Sequence, residues 1–210
     1  MRRAVFLDRD GVICWNRYDH VKSWDEFEFL PGALAALARL AESDLGIVVV
    51  TNQAVINRGM ATLSAIEDIH ARMVAEIEQA GGRVDKVMFC PHRPDQGCEC
   101  RKPKPGMLLK AAEQLGLDLG GSYMVGDACS DVMAGRAAGC SKCYLVLTGR
   151  GVEQLSQCYA QAGGEFQVVR NLEHAVRDVL GQNAVLSQSP AEESREYVTI
   201  LKERAATSGS

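Results

Sequence analysis

Six short apolar runs alternate with six helical repeats over residues 4–180, and that alternation restricts the chain to few architectures. The runs "AVFLD" (4–8), "GIVVVTN" (46–52), "VDKVMFC" (84–90), "SYMVGDA" (122–128), "KCYLVLTG" (142–149) and "FQVV" (166–169) are short and largely apolar, the second of them β-branched, which predicts buried strands. The run "PGALAALARLAES" (31–43) predicts a helix, with proline near its start and Leu34, Leu37 and Leu40 on one face. Leu63, Ile66, Ile69, Met73 and Ile77 recur at steps of three and four, which predicts an amphipathic helix. Residues 105–117, 131–139, 152–163 and 171–180 supply the remaining helices. Strand and helix in alternation predict an α/β chain: a doubly wound, mostly parallel, Rossmann-like sheet covered on both faces.

Length bounds the domain count. A chain of 210 residues with 47% hydrophobic residues fits one domain with a sizeable core. Residues 1–181 are the predicted domain. From Gln182 the chain turns polar and Ser-rich, which predicts a C-terminal tail over 182–210 with one short helix around 192–204. A net charge of −4 argues against nucleic acid and anionic membranes as partners. No run of about 18 apolar residues is present, so no membrane-spanning helix is expected. The short apolar run in "MRRAVFLDRDGV" is soon broken by charges and is not a signal peptide. A cytoplasmic monomer is the expectation. Its eight cysteines are then thiols or metal ligands rather than disulfides. Cys14, Cys129, Cys140, Cys143 and Cys158 are scattered and read as structural.

In an open parallel sheet, ligands bind beyond the carboxyl ends of the strands. Three of those ends are polar here: Asp8 and Asp10 in "DRDG", Thr51 and Asn52 in "VTNQ", and Asp127 and Asp131 in "GDACSD". An isolated D-x-D is ordinarily a solvated turn. Carboxylates from several strand ends, gathered at one edge, repel one another unless a cation is present. A hard divalent ion such as Mg²⁺ suits such oxygen ligands and also binds phosphoryl oxygens, which points to phosphate chemistry. Cys90, His92, Cys98 and Cys100 form a separate group, C-x-H-x5-C-x-C. Four such ligands suit tetrahedral Zn²⁺ and leave no open position for water, so the site is read as structural. The surrounding loop is rich in Pro, Asp and Gly, so metal ligation is the expected source of its order. Free loop cysteines are the alternative reading.

The segments "FLDRDGV", "VVTNQ" and "MVGDACSD", with Lys102 before a helix, resemble the four motifs of the haloacid dehalogenase superfamily of phosphatases, in the right order. The segments "CPHRPDQGCECRKPKPGM", "FEFLPG" and "VVVTNQAVINRGM" are similar to the D,D-heptose 1,7-bisphosphate phosphatases and the related histidinol-phosphate phosphatases. The resemblance spans about residues 3–180. It implies that Asp8 is the nucleophile that forms an aspartyl-phosphate, and that Asp10 is the general acid, then base. It also implies that Mg²⁺ is held by Asp8, the Asp10 carbonyl and Asp127, and that Thr51 and Lys102 neutralise the phosphoryl oxygens. Asp131 orients the metal shell or Lys102; an acid at a helix N-terminus is the plainer account of it. The region "ICWNRYDHVKSWDEFEF" is too short for a separate cap domain, so the fold carries a minimal cap and specificity falls to loops. Asn16, Arg17, His20, Asn52, Gln53, Arg58 and Arg101 are the candidate substrate-binding residues there. Ala128 stands where the heptose enzymes often carry a basic residue. Removal of the 7-phosphate of heptose 1,7-bisphosphate is the expected activity. Histidinol-phosphate hydrolysis is the runner-up, and a non-catalytic zinc module is the reading from another class.

Overall fold

The computed structural model describes residues 1–181; the predicted tail over 182–210 and its short helix lie outside the described residues. Six strands form one sheet: β1 (Ala4–Leu7), β2 (Gly46–Asn52), β3 (Lys86–Cys90), β4 (Tyr123–Gly126), β5 (Lys142–Val146) and β6 (Gln167–Val169). Helices α1 (Ala33–Ala41), α2 (Leu63–Gln79), α3 (Gly106–Leu115), α4 (Cys129–Ala138), α5 (Gly151–Ala162) and α6 (Leu172–Val179) connect or follow them. The sheet order is β3-β2-β1-β4-β5-β6 and each pairing is parallel.

The chain therefore winds outward from β1 to β3, crosses back, and winds outward again from β4 to β6. The point of reversal lies between β1 and β4, where a doubly wound sheet opens a crevice at its carboxyl edge. Along that edge the segments after the strands follow in order: the cysteine loop after β3, Thr51–Gln53 at β2, Asp8–Asp10 after β1, Asp127–Asp131 after β4 and Leu147–Arg150 after β5.

The four central strands, β2, β1, β4 and β5, read as apolar runs because both faces are covered; the edge strands β3 and β6 are partly buried. Alternate residues feed two cores. Val5, Leu7, Ile47, Val49 and Val125 pack with α1, α2 and α6, whereas Ala4, Phe6, Val48, Val50 and Met124 pack with α3, α4 and α5. A third, smaller cluster joins Val21, Val55, Ile66 and Ile69, with Trp24 and Phe27 packed against it. It pins the short segment between β1 and α1 onto α2, so the minimal cap is an ordered ledge. Leu63, expected on the buried stripe of α2, is 49% exposed. It is the first residue of the helix, after the Thr62 cap whose side chain accepts from Ala65 N–H at 3.1 Å, so it precedes the turns that meet the core.

Candidate active site and metal loop

Asp8 leaves β1 at the switch point, where its N–H still donates to Val125 of β4 at 2.9 Å. Asp8 Oδ1 receives the Arg9 N–H at 2.7 Å and faces Lys102 Nζ at 3.0 Å. Lys102 is 2% exposed. Its ammonium also meets Asp131 Oδ1 at 2.6 Å and donates to the Val50 carbonyl at 2.7 Å, so its three donors are all used. Burial alone lowers a lysine, but Asp131 and Asp8 outweigh it and push Lys102 up.

The backbone of Lys102 is fixed separately. Asn52 Oδ1 accepts its N–H at 3.1 Å, and Asn52 Nδ2 donates to its carbonyl at 3.1 Å. Asp131 Oδ1 pairs with Lys102, while Oδ2 accepts from Ala128 N–H at 3.0 Å in the first turn of α4.

Asp127 completes the acidic group. Oxygens of Asp8, Asp127 and Asp131 all lie within 4.8 Å of one another. Burial pushes Asp8 up to about 7; Lys102 opposes this, and Asp131 and Asp10 add to it. Burial pushes Asp127 well up too, with Asp8 and Asp131 adding. A single lysine does not balance three buried carboxylates, and a divalent cation supplies the missing charge. The backbone is shaped around the same group. A side chain on Gly11, whose φ is +81°, would lie 2.1 Å from Asp127 Oδ2, and one on Gly126 would lie 2.1 Å from Asp131 Cβ. Only glycine fits at either position. These observations fit Mg²⁺.

Asp10 stands outside that group of oxygens, on the same cleft, and is held by other partners. Arg9 Nη2 donates to both of its oxygens at 3.0 Å, Gln53 Nε2 to Oδ2 at 2.9 Å, and the Cys14 thiol lies 3.5 Å from Oδ1. Burial raises Asp10, but the Arg9 charge and these hydrogen bonds prevail and hold it low. Arg9 is fully buried and leans on His70, whose Nε2 lies 3.1 Å from Nη1. Burial, then Arg9, pushes His70 down to about 3, so it is a neutral ring that accepts from the guanidinium.

The cleft above these groups measures about 430 Å³, and its walls include Asp8, Asp10, Thr51, Lys102 and Asp127. Of the seven candidate substrate-binding residues, Asn16, His20, Asn52 and Arg101 line it. Gln53 is buried behind Asp10 and also donates to Thr51 Oγ1 at 2.9 Å. Arg58 stands behind His20, with Nη1 3.2 Å from Nε2. Arg17 lines a neighbouring cavity and pairs with Asp19 at 3.3 Å. Arg101 donates to the His92 carbonyl at 3.1 Å. The sequence reading did not single out Arg150, Gln154, Gln157 and Gln161, which line the cleft from the other side. Their signal was the spacing of the three glutamines on one face of α5.

Cys90, His92, Cys98 and Cys100 converge. Sγ–Sγ distances among the cysteines run from 3.3 to 3.6 Å, and His92 Nδ1 lies 3.5 Å from Cys90 Sγ and 3.3 Å from Cys100 Sγ. Tetrahedral zinc with bonds of about 2.0–2.3 Å separates its ligands by roughly 3.5–3.8 Å, so the four atoms fit that ion. The other four buried or half-buried thiols (Cys129, Cys140, Cys143, Cys158) and Cys14 form no disulfide.

A switch point that gathers acids around one buried lysine is the arrangement of haloacid dehalogenase-type hydrolases, and residues 99–175 match the HAD-hydrolase-like family model. The D-glycero-beta-D-manno-heptose-1,7-bisphosphate 7-phosphatase of Pseudomonas aeruginosa is 44% identical over 156 residues, 74% of this chain and 87% of that protein. The protein of that name from Bordetella bronchiseptica is 43% identical over 155 residues, 74% and 86% of the two chains. A crystal structure of D,D-heptose 1,7-bisphosphate phosphatase from B. bronchiseptica, complexed with magnesium and phosphate, superposes with a TM-score of 0.79 at 39% identity, covering 86% of this chain and 99% of that one. The chain belongs to the haloacid dehalogenase-like hydrolases, in the family of the heptose-1,7-bisphosphate phosphatases.

Proposed function

We propose that residues 1–181 form a magnesium-dependent phosphomonoester hydrolase that removes the 7-phosphate of D-glycero-β-D-manno-heptose 1,7-bisphosphate. The observation that carries this is the buried Asp8–Lys102–Asp131 chain beside Asp127 at the switch point, in a chain 44% identical to an enzyme of that name. The relatives' names favour a heptose substrate over histidinol phosphate, and the intact acid and lysine set argues against a non-catalytic zinc module.

Asp8 is the nucleophile. Lys102 and the Arg9 N–H both engage Oδ1, and no described residue engages Oδ2. Oδ2 then attacks phosphorus, the bond to the sugar oxygen breaks, and an aspartyl-phosphate remains. Arg9 keeps Asp10 a carboxylate at rest; the anionic phosphoryl group binding beside it raises its affinity for a proton, which it takes from solvent and gives to the leaving oxygen, and it later takes one from the attacking water. The carboxylate paired to Arg9 is the form that the second half requires. Asp8, Asp127 and the Asp10 carbonyl would hold Mg²⁺, which neutralises phosphoryl charge when bound. Lys102 and Thr51 add positive charge and a hydroxyl beside the same oxygens. Arg101, Asn16 and His20 meet the rest of the substrate, with Arg58 bracing His20. Gln53 braces Asp10, and Arg17 lines the adjoining cavity. The chain acts as a cytoplasmic monomer on a small sugar phosphate, without nucleic-acid or membrane partners. No helix among the described residues is long and apolar enough to cross a membrane.

A phosphate-release assay on both anomers of the heptose bisphosphate, histidinol phosphate and an aryl phosphate tests the assignment. The β-anomer is expected to give the highest kcat/KM; a higher value for histidinol phosphate would overturn the reading.

The zinc loop carries a separate prediction. Cys100 immediately precedes Arg101 and Lys102, so the clamp sets the course of both cations. Replacing Cys98 and Cys100 by Ala should release zinc and lower kcat/KM on the order of tenfold to a hundredfold, as misplacement by about 1 Å does. Metal analysis with steady-state kinetics checks it; a zinc-free variant with unchanged kinetics would contradict it.

A further inference from the structure

The cleft has a second wall that neither the family motifs nor the zinc loop supplies. It comes from the segment after β5 and from α5, which the strand order places on the far side of the Asp8–Asp127 cluster from the zinc loop. Arg150, Gln154 and Gln157 line the cleft there.

This wall is tied to the acidic cluster. The Arg150 N–H donates to Asp127 Oδ2 at 2.8 Å, and Thr148 Oγ1 donates to the Gly11 carbonyl at 2.6 Å. Gln154 Oε1 accepts from the Cys129 N–H at 3.3 Å, and Gln161 Oε1 lies 3.3 Å from the Cys129 thiol. α5 is thereby braced on the first turn of α4, the turn that carries Asp131. The bracing uses Oε1 of Gln154 and leaves its amide N–H₂. Gln157, one turn along on the same face, forms no hydrogen bond with a described residue. The Arg150 guanidinium has no ion pair among the described residues, although it borders both this cleft and the adjoining cavity of about 410 Å³.

The chemistry of the wall differs from that of the opposite side. Lys102 is committed to two carboxylates, and Arg101 projects from the metal loop. The wall offers the amide N–H₂ of Gln154 and the whole amide of Gln157 at successive turns of one helix face, ended by the planar fork of donors of Arg150. The two amides match a chain of hydroxyl-bearing carbons, and the Arg150 fork at their end can donate to a hydroxyl or to an anionic group of the same substrate.

We propose that Arg150, Gln154 and Gln157 form a specificity wall that reads the polyol segment of the substrate, between the phosphate at Asp8 and the far end of the sugar. The proposal deepens the sugar-phosphate reading above and rests on it.

Gln157→Ala, Gln157→Glu and Arg150→Met separate this role from a structural one, because neither side chain holds another part of the fold. The readout is the ratio of kcat/KM for the heptose bisphosphate to kcat/KM for an aryl phosphate, which has no polyol. The ratio is expected to fall about threefold to tenfold in Gln157→Ala, through KM with kcat held, as the loss of one or two neutral hydrogen bonds does. Gln157→Glu should lower it further, since the substrate is anionic, and Arg150→Met should lower it by about tenfold or more, as loss of a charged donor does. An unchanged ratio in all three variants, in an enzyme whose wild type hydrolyses the heptose bisphosphate, would overturn the wall and leave the proposed function standing. If the wild type prefers another polyol phosphate, the proposed function fails, and the same ratio taken with that substrate decides the wall. An equal fall for both substrates assigns these residues to fold or chemistry and overturns the proposal.

Discussion

An Asp8→Asn variant is expected to fold and to lose turnover by a factor on the order of 10⁴ or more, the scale seen when a nucleophile that acts within a unit is removed. The amide keeps the size of the carboxylate and keeps an oxygen to accept from Arg9 N–H, so the β1 end stays in place. It cannot form the aspartyl-phosphate. Burial and the neighbouring carboxylates already raise Asp8 to about 7, so a neutral side chain relieves repulsion from Asp131 and Asp10. The metal-free variant should therefore be at least as stable as the parent above pH 7. Urea midpoints and phosphate release measure both halves, and substantial residual turnover would sink the nucleophile assignment.

Lys102→Met carries the second large effect, and here stability and activity fall together. The apolar chain fills a similar volume but leaves Asp8 and Asp131 facing each other in a buried site. Breaking a buried pair by removing one partner costs about 3–5 kcal/mol. The cost depends on pH. Asp8 titrates at about 7 in the folded protein, against a reference of about 3.9 unfolded, so the folded state holds the extra proton. That contribution is present below about pH 4 and is lost as pH rises to about 7; without Lys102 the window extends upward. The deficit in metal-free protein should accordingly be larger at pH 8 than at pH 5. Activity should drop by about 10²–10³, as for loss of one preorganised positive charge beside the group that reacts. Equal deficits at the two pH values, or unchanged kcat, would count against the role given to Lys102.

The central strands β1, β2, β4 and β5 were legible because they are buried almost throughout and read as apolar runs, whereas the edge strands β3 and β6 are only partly buried and read less clearly. Asp8, Asp127 and Thr51 were legible because they terminate those runs. The convergence of Cys90, His92, Cys98 and Cys100 was legible because such side chains at short spacing in a loop with little apolar side chain have few other uses. Arg9 was not. Between two aspartates it reads as a surface charge, and its full burial depends on His70 from α2, 61 positions away. His70 did carry a signal, since it falls on the same buried stripe as Ile66, Met73 and Ile77. Asn52 was read as a substrate ligand from its strand-end position, yet both ends of its amide clasp the Lys102 backbone, a contact that local sequence cannot show. The glutamines of α5 were hidden for a different reason. Polar residues on one helix face ordinarily meet solvent, and only the sheet order turns that face toward the cleft.

Hydrolysis through Asp8 requires a covalent phosphoryl group on that side chain. The direct measurement is an acid quench during steady turnover of the heptose bisphosphate, followed by peptide mass spectrometry. A phosphoryl group mapped to Asp8, absent from Asp8→Asn and from enzyme quenched without substrate, is the predicted result. Turnover that proceeds with no phosphoryl on the chain under conditions that preserve acyl phosphates, or with the group on another residue, would contradict it.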